Sequence, residues 1–177
     1  MSKSAAELMA ELAGDKDYLA RKDVQAKNNQ SLERRCASDE EVLVSELRKI
    51  GLPVNSIWDL VNSRDNYSDA VPVLLAHLKI VHHLKILQGI SRSLAIPALS
   101  ENDDLWGTLI DLYKNTPPNI EIGEPENRGA QEAIAIALES LATRSRHGDL
   151  KNVVESNPGG DGVCWLREKL ECFKVDL

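Results

Sequence analysis

The chain has 177 residues, is 42% apolar and carries a net charge of −7 at pH 7. That length and apolar content suffice for one ordinary domain, or a short array, with its own core. No run reaches the roughly eighteen apolar residues a spanning helix needs, and the acidic balance argues against a general nucleic-acid binder, whose affinity comes mostly from neutralised phosphates.

Only seven residues are aromatic, so the core must be built mainly from Leu, Ile, Val and Ala, as in packed helices. The opening segment MSKSAAELMAELAG lacks an apolar signal core and carries acids, which predicts no export signal. Cys164 and Cys172 lie eight apart in one predicted helix, about 12 Å along its axis at roughly 1.5 Å per residue and too far to bridge. With Cys36 standing alone, free thiols in a reducing cytoplasm are expected.

In chain order, Ser4 to Ala13 reads as a short amphipathic helix with Leu8, Met9 and Leu12 inward, ended by Gly14. Tyr18 to Arg35 is mostly polar, and its apolar marks Tyr18, Leu19, Val24 and Leu32 are too sparse for a full buried face. It predicts an exposed helix, with a mobile linker as the other reading. Seven Lys and Arg stand against six Asp and Glu through Arg35, so this part is +1 and the rest −8. The asymmetry could dock the arm on the acidic body, although a solvated face is the commoner meaning of such a run. These residues, 1–37, are expected to form a helical extension ahead of a repeat domain over 38–177.

Ser38 with Glu41 three residues on is a capping-box pattern that predicts a new helix through Ile50, burying Leu43, Leu47 and Ile50. Gly51 ends it. Pro53 with Asn55 or Ser56 restarts a helix through Val61 that buries Ile57, Leu60 and Trp58. The turn VNSRDNYSD is rich in residues that bond their own backbone. Ser68 then caps a helical hairpin.

In its first arm Val71, Leu74, Leu75 and Leu78 share a face. In its second arm Ile86, Gly89, Ile90, Ser93 and Leu94 do, and the small residues Gly89 and Ser93 let a neighbouring helix approach closely. The join falls near Val81 to Leu84, and Pro97 stops the second arm. Ser100 and Asp103 open the next helix, where Trp106, Leu109, Ile110 and Tyr113 repeat the spacing of Val71 to Leu78 thirty-five residues later. Ala133, Ile134, Ala137, Leu138 and Leu141 repeat the second arm, forty-four residues after Ile90. Arg128 to Arg144 is the predicted helix. His147 to Glu155 forms a short helix, ESNPGGDG a turn, and Val163, Leu166, Leu170 and Phe173 mark a last helix and an incomplete third pass. Stacked helix pairs with periods of this size mark an α-solenoid.

The early Pro72, the LLxxL core of Leu74, Leu75 and Leu78, and the GIxRxLA run from Gly89 to Ala95 resemble a HEAT repeat. More narrowly, GLPVNSIWDLVNSRDNYSDAVPVLLAHL resembles bacterial proteins with a short HEAT-like array, over roughly Asp39 to Leu170. Leu87 stands where HEAT repeats often carry an Arg that ties one repeat to the next. The resemblance implies an all-α, short superhelix of HEAT- or armadillo-like helix pairs. It brings no catalytic residues.

Candidate chemistry is sparse. His77 and His82 are five apart and His82 and His83 adjacent, whereas a helical metal pair wants three or four. His77 is therefore expected at a helix edge and His82 with His83 in the turn, and neither metal nor cofactor is expected. No GxSxG elbow is present. Cys36 follows Arg34 and Arg35, which could activate its thiol, but a surface or structural thiol is the commoner case. The glycines of Pro158 to Gly162 precede Val163, Cys164 and Trp165 instead of the Lys and Ser or Thr of a phosphate cradle, and read as a turn. Arg92, Arg128 and Arg144, with Arg146 beyond, could line a concave basic face of a DNA-repair type, but those helices lack aromatics to cover a base, and Glu132 and Glu139 interrupt them.

The expectation is therefore a non-enzymatic module that binds another protein. Helical phase relative to Ile90 and Ile134 predicts Gln88, Ser91, Arg92, Gln131, Glu132, Ala135 and Glu139 on its outward face. The loop from Asn115 to Asn127 is long enough to be a second contact through Ile120 to Glu124, with Ile120 and Ile122 as apolar tips, although a tolerated insertion is the commoner meaning of such a loop. A homo-oligomer joined through Trp165 and Phe173, where the array ends without a polar cap, is the remaining class.

Overall fold

A computed structural model describes Ser4 and residues 15–63, 67–119 and 129–175. The expected helix at Ser4 to Ala13 lies outside these residues, as do Ile120, Ile122, Glu124 and Arg128. The described chain is all-helical, with eight α-helices and no strand. It divides into two compact units, Met1–Ser38 and Asp39–Leu177.

Helix α1 runs unbroken over Lys16–Lys49. Asp15 caps it, its Oδ1 accepting the N–H groups of Asp17 (2.9 Å) and Tyr18 (3.1 Å). The start expected at Ser38 does not exist. A capping box works only where the preceding residue leaves the helix, and nothing between Asp15 and Gly51 is Gly or Pro. Within the first unit this helix is solvated, with Leu19 and Val24 exposed.

In the second unit α1 buries Glu40, Leu43, Val44 and Leu47, whereas Ile50, expected inside, is 40% exposed. Gly51 explains the difference. At φ 92° it turns the chain out of the helix, and the N–H groups of Gly51 and Leu52 bond back to the carbonyls of Arg48 and Leu47. Such a left-handed stop leaves the last helical residue outside the core. Arg48 then donates to the Val54 carbonyl (2.7 Å) and the Asn55 side chain (2.9 Å), holding the turn.

Helix α2, Ile57–Val61, carries a full capping box between Ser56 and Asp59. Ile57 and Leu60 are buried, while Trp58 is half-buried beneath the Lys85 ammonium, 4.7 Å from the ring centroid. The Glu40 carboxylate accepts from the Ser56 hydroxyl (3.3 Å) and the Ile57 N–H (3.4 Å). Burial pushes this carboxyl above its ordinary value, against the pull of those two donors, and the charges of Asp59 and Asp39 add to the rise. The folded chain thus holds the Glu40 proton more tightly than the unfolded one. Stability from this group falls as pH rises from the ordinary 4.5 through the raised folded value, and stays at the lower level above it. Glu40→Gln should flatten that decline, read from urea midpoints at about pH 4 and about pH 7.

Helices α3 (Val71–Leu78) and α4 (Leu84–Ser93) form the predicted hairpin. A 3₁₀ turn over Ser68–Ala70 leads into α3, so Ser68 is not its cap. The buried face of α3 is Leu74, His77 and Leu78. Helix α5, Asp103–Asn115, is capped by Asn102, not Ser100. It is followed by α6 (Ala130–Leu141), α7 (His147–Ser156) and α8 (Val163–Val175).

Helix α6 is central, packing against α4, α5 and α8. Helix α2 packs on α4, α3 on α4, and α7 on α8. At Gly89 the α2–α4 approach is so close that an added Cβ would lie 2.5 Å from Ile57 Cγ2. Gly89 thus does what its spacing predicts. Beyond α6, Trp106 donates to Asp149 (3.1 Å), and Arg146, over the Trp106 ring, pairs with Asp103 (2.6 Å).

Candidate functional site

The second helices of the hairpins were expected to show one face to solvent. Instead α4 is covered from α2, α3 and α6, and α6 from α4, α5 and α8. Helical phase fixes a residue's direction but not how many sides of the helix have neighbours. Gln88, Ser91, Gln131 and Ala135 are therefore buried, contrary to expectation. Arg92 is exposed, and Glu132 and Glu139 are half-exposed.

Two of the buried polar side chains on these helices, Gln131 and Gln88, are held by hydrogen bonds. Gln131 donates through Nε2 to the carbonyls of Tyr113 (3.0 Å) and Thr116 (2.8 Å), and its Oε1 accepts the Asp161 N–H (2.7 Å). The Tyr113 hydroxyl donates to the Asp161 carbonyl (3.1 Å). Burial first, then the Asp161 charge, pushes that phenol up to about 12. Asp161 also receives the Asn119 N–H (2.5 Å). This hub joins the end of α5, the start of α6 and the turn before α8. The Pro158–Gly162 stretch is thus a turn tied down by hydrogen bonds. Gln88 is fixed more lightly, accepting from Lys85 Nζ (2.9 Å).

What α6 leaves open is one edge, and α8 completes it. Gly162, at φ 73°, starts α8 so close to α6 that a Cβ there would lie 2.7 Å from that of Ala135. From that pivot α8 presents Trp165, Glu168, Lys169, Cys172 and Phe173 beside Ile136 and Glu139 of α6. Together they line an open groove of about 570 Å³. Ile136, Trp165 and Phe173 are half-buried and Cys172 is exposed. The rim carries two glutamates and one lysine, and Lys169 is paired with Glu139 at 3.3 Å. His147 meets the Phe173 ring edge-on, 6.2 Å between centroids, which holds the far wall.

Compared with known proteins, the chain matches no family model, no curated protein and no solved structure. The groove lining mixes the half-buried apolar side chains of Ile136, Trp165 and Phe173 with the charged groups of Glu139, Glu168 and Lys169. A second open cavity, of about 680 Å³, lies beside Lys114 to Pro118 and Ser156 to Gly159, with Gln131 in its wall. The hydrogen bonds of Gln131 are already spent on backbone.

Among the described residues no cluster of three or more His, Cys, Asp and Glu is placed to hold a metal ion. No described helix is long and apolar enough to cross a membrane. Of the arginines expected to line a basic face, Arg92 and Arg144 are exposed. Arg146 is engaged by Asp103 and by the Ser100 carbonyl. His77, expected at a helix edge, is buried at 3% exposure. Its partners explain why: both ring nitrogens are within hydrogen-bond distance of side chains, Glu46 on one side and His82 on the other. No spacing rule within one helix could show this, because Glu46 is thirty-one residues away.

Proposed function

We propose that this chain is a non-enzymatic, cytoplasmic protein-binding module. In this reading it is a short HEAT-like array of helix pairs, α3 with α4, α5 with α6 and α7 with α8. It receives an amphipathic segment of another protein in the groove between α6 and α8. The observation that carries the proposal is that groove, in which Ile136 of α6 and Trp165 and Phe173 of α8 are half-buried apolar side chains beside open solvent. The array reading is supported by the packing order, in which the second helices of successive pairs, α4, α6 and α8, lie against one another. Charge narrows the occupant. The rim glutamates and a chain charge of −7 favour a segment carrying Lys or Arg beside its apolar anchors.

The test uses the tagged chain and its Cys172→Arg variant as baits in nuclease-treated lysate of the source cells. Cys172 is exposed, so the variant fills the groove with charge and leaves the core alone. One stoichiometric protein should be retained by the wild type and by Arg92→Ala. Cys172→Arg should retain roughly tenfold less or lower still. Equal retention by Cys172→Arg would remove the groove from the proposal, and retention that vanishes with nuclease would favour a nucleic-acid ligand.

Self-association is the second reading, favoured by the same two aromatic side chains at the last helix of the array. A wild-type dimer by light scattering that becomes a monomer on Cys172→Arg would select it.

A further inference from the structure

Asp39 and Glu46 lie seven residues apart, two turns of α1, and so on one edge of that helix. Across from them stand His77, in the last turn of α3, and His82, in the connection from α3 to α4. The four side chains form a single file. Glu46 Oε2 is 3.1 Å from His77 Nε2, His77 Nδ1 is 3.1 Å from His82 Nε2, and His82 Nδ1 is 3.2 Å from Asp39 Oδ1. The two imidazole side chains are each 4% exposed, while Glu46 (42%) and Asp39 (29%) reach solvent. The second oxygen of Asp39 accepts the His83 N–H at 2.6 Å, which pins the connecting segment to α1.

Three contacts in a row need three protons, one in each. Ionised carboxylates supply none, and two neutral imidazoles supply two. With two protons, one contact in the file must set lone pair against lone pair. With four, the N–H groups of His77 Nδ1 and His82 Nε2 point at each other across 3.1 Å. Only the state with three protons, in which the histidine pair shares one positive charge between two carboxylates, makes every bond. The pair is out of water, so a missing bond is not replaced by solvent.

We propose that this file is a one-proton latch that holds the connection between α3 and α4 on α1. The latch is closed while the pair carries a single positive charge, and it opens on both gain and loss of one proton. What it positions is an exposed apolar tip, since Ile80 is 54% and Val81 96% exposed. Other charged groups nearby have other duties. Lys79, at the start of the connection, is paired with Asp104 of α5 at 2.7 Å. The His83 ring accepts the Lys85 N–H at the start of α4 (3.2 Å), and Glu40 of α1 is bonded to Ser56 and Ile57.

Amide hydrogen exchange of the His83 N–H, corrected for its intrinsic pH dependence, reads the latch directly on the wild-type protein. Protection should be greatest at an intermediate pH and fall roughly tenfold or more on either side. Nitrogen-15 spectra at that pH should show three protonated nitrogens among the four of His77 and His82. His77→Gln/His82→Gln should abolish the maximum, whereas His83→Asn, which keeps an acceptor for Lys85, should retain it. Protection that is flat or monotonic in pH overturns the proposal. So do two protonated nitrogens at the maximum, or a maximum that survives in the double variant.

Discussion

Replacing Gln131 with Ala is expected to lower the unfolding free energy by about 3–5 kcal/mol. The side chain is 1% exposed and satisfies three backbone groups at once: the carbonyls of Tyr113 and Thr116 and the N–H of Asp161. Each buried backbone group left without a partner costs about 1–3 kcal/mol. The full sum is not reached, because Gln131 borders the open cavity beside Lys114 to Pro118 and water can enter from that side. Gln131→Glu should be no better. It keeps the acceptor for Asp161 but turns the donor toward Tyr113 and Thr116 into a second acceptor. Gln88→Ala is the contrast, since Gln88 accepts one bond from a lysine and should cost about 1 kcal/mol. The measurement is the urea midpoint at unchanged slope. A Gln131→Ala loss no larger than that of Gln88→Ala would mean that the hub does not hold α5, α6 and the turn before α8 together.

Gln131 also shows where sequence reading stops. Local signals were legible wherever the cause lies within a few residues. Gly51 ends α1, Ser56 with Asp59 starts α2, and Ile57 with Leu60 faces inward, because caps and helical phase act over one or two turns. The same rules misplaced Ser38, since a capping pattern is a permission to begin a helix and not a command to end the one before it. They misplaced Gln88, Ser91 and Gln131 for a different reason. A polar residue on the far side of an amphipathic helix reads as solvent-facing unless another element covers it, and the cover here comes from residues distant in sequence. The Gln131 bonds reach Tyr113 and Asp161, eighteen and thirty residues away.

The candidate groove was legible in part. Trp165 and Phe173 stood out as apolar side chains at the end of the expected array, and Glu139 as a contact residue. Ile136 was not singled out, because on a helix as apolar as α6 one more isoleucine reads as core. The histidine file was visible only as three histidines at the wrong spacing for a metal. Its actual partners, Asp39 and Glu46, come from another helix, and the turn from α1 back to α3 that aligns them leaves no local mark.

The second large effect is expected at Gly89, where Gly89→Val should cost about 3 kcal/mol or more. A helical glycine normally gains about 1 kcal/mol on replacement by alanine and a few tenths by β-branched valine, so the sign of the change is itself a test of packing. Here the first added carbon would meet Ile57 Cγ2 at 2.5 Å and Cγ1 at 3.2 Å. Ile57 is fully buried in a helix of five residues whose cap is bonded to Glu40, so it cannot swing aside without moving α2. The added methyl groups of valine extend the same clash. The partner for a double-mutant cycle is Ile57→Ala, which alone should cost about 2–5 kcal/mol by leaving a cavity. In the double variant the valine fills space that the isoleucine vacated. Its loss should therefore fall short of the sum of the two single losses by about 1–3 kcal/mol. Additive losses would show that Gly89 is chosen for something other than the approach of α2, and a stabilised Gly89→Val would show that the two helices stand farther apart than 2.5 Å allows. This one contact decides whether the hairpin of α3 and α4 packs onto α2.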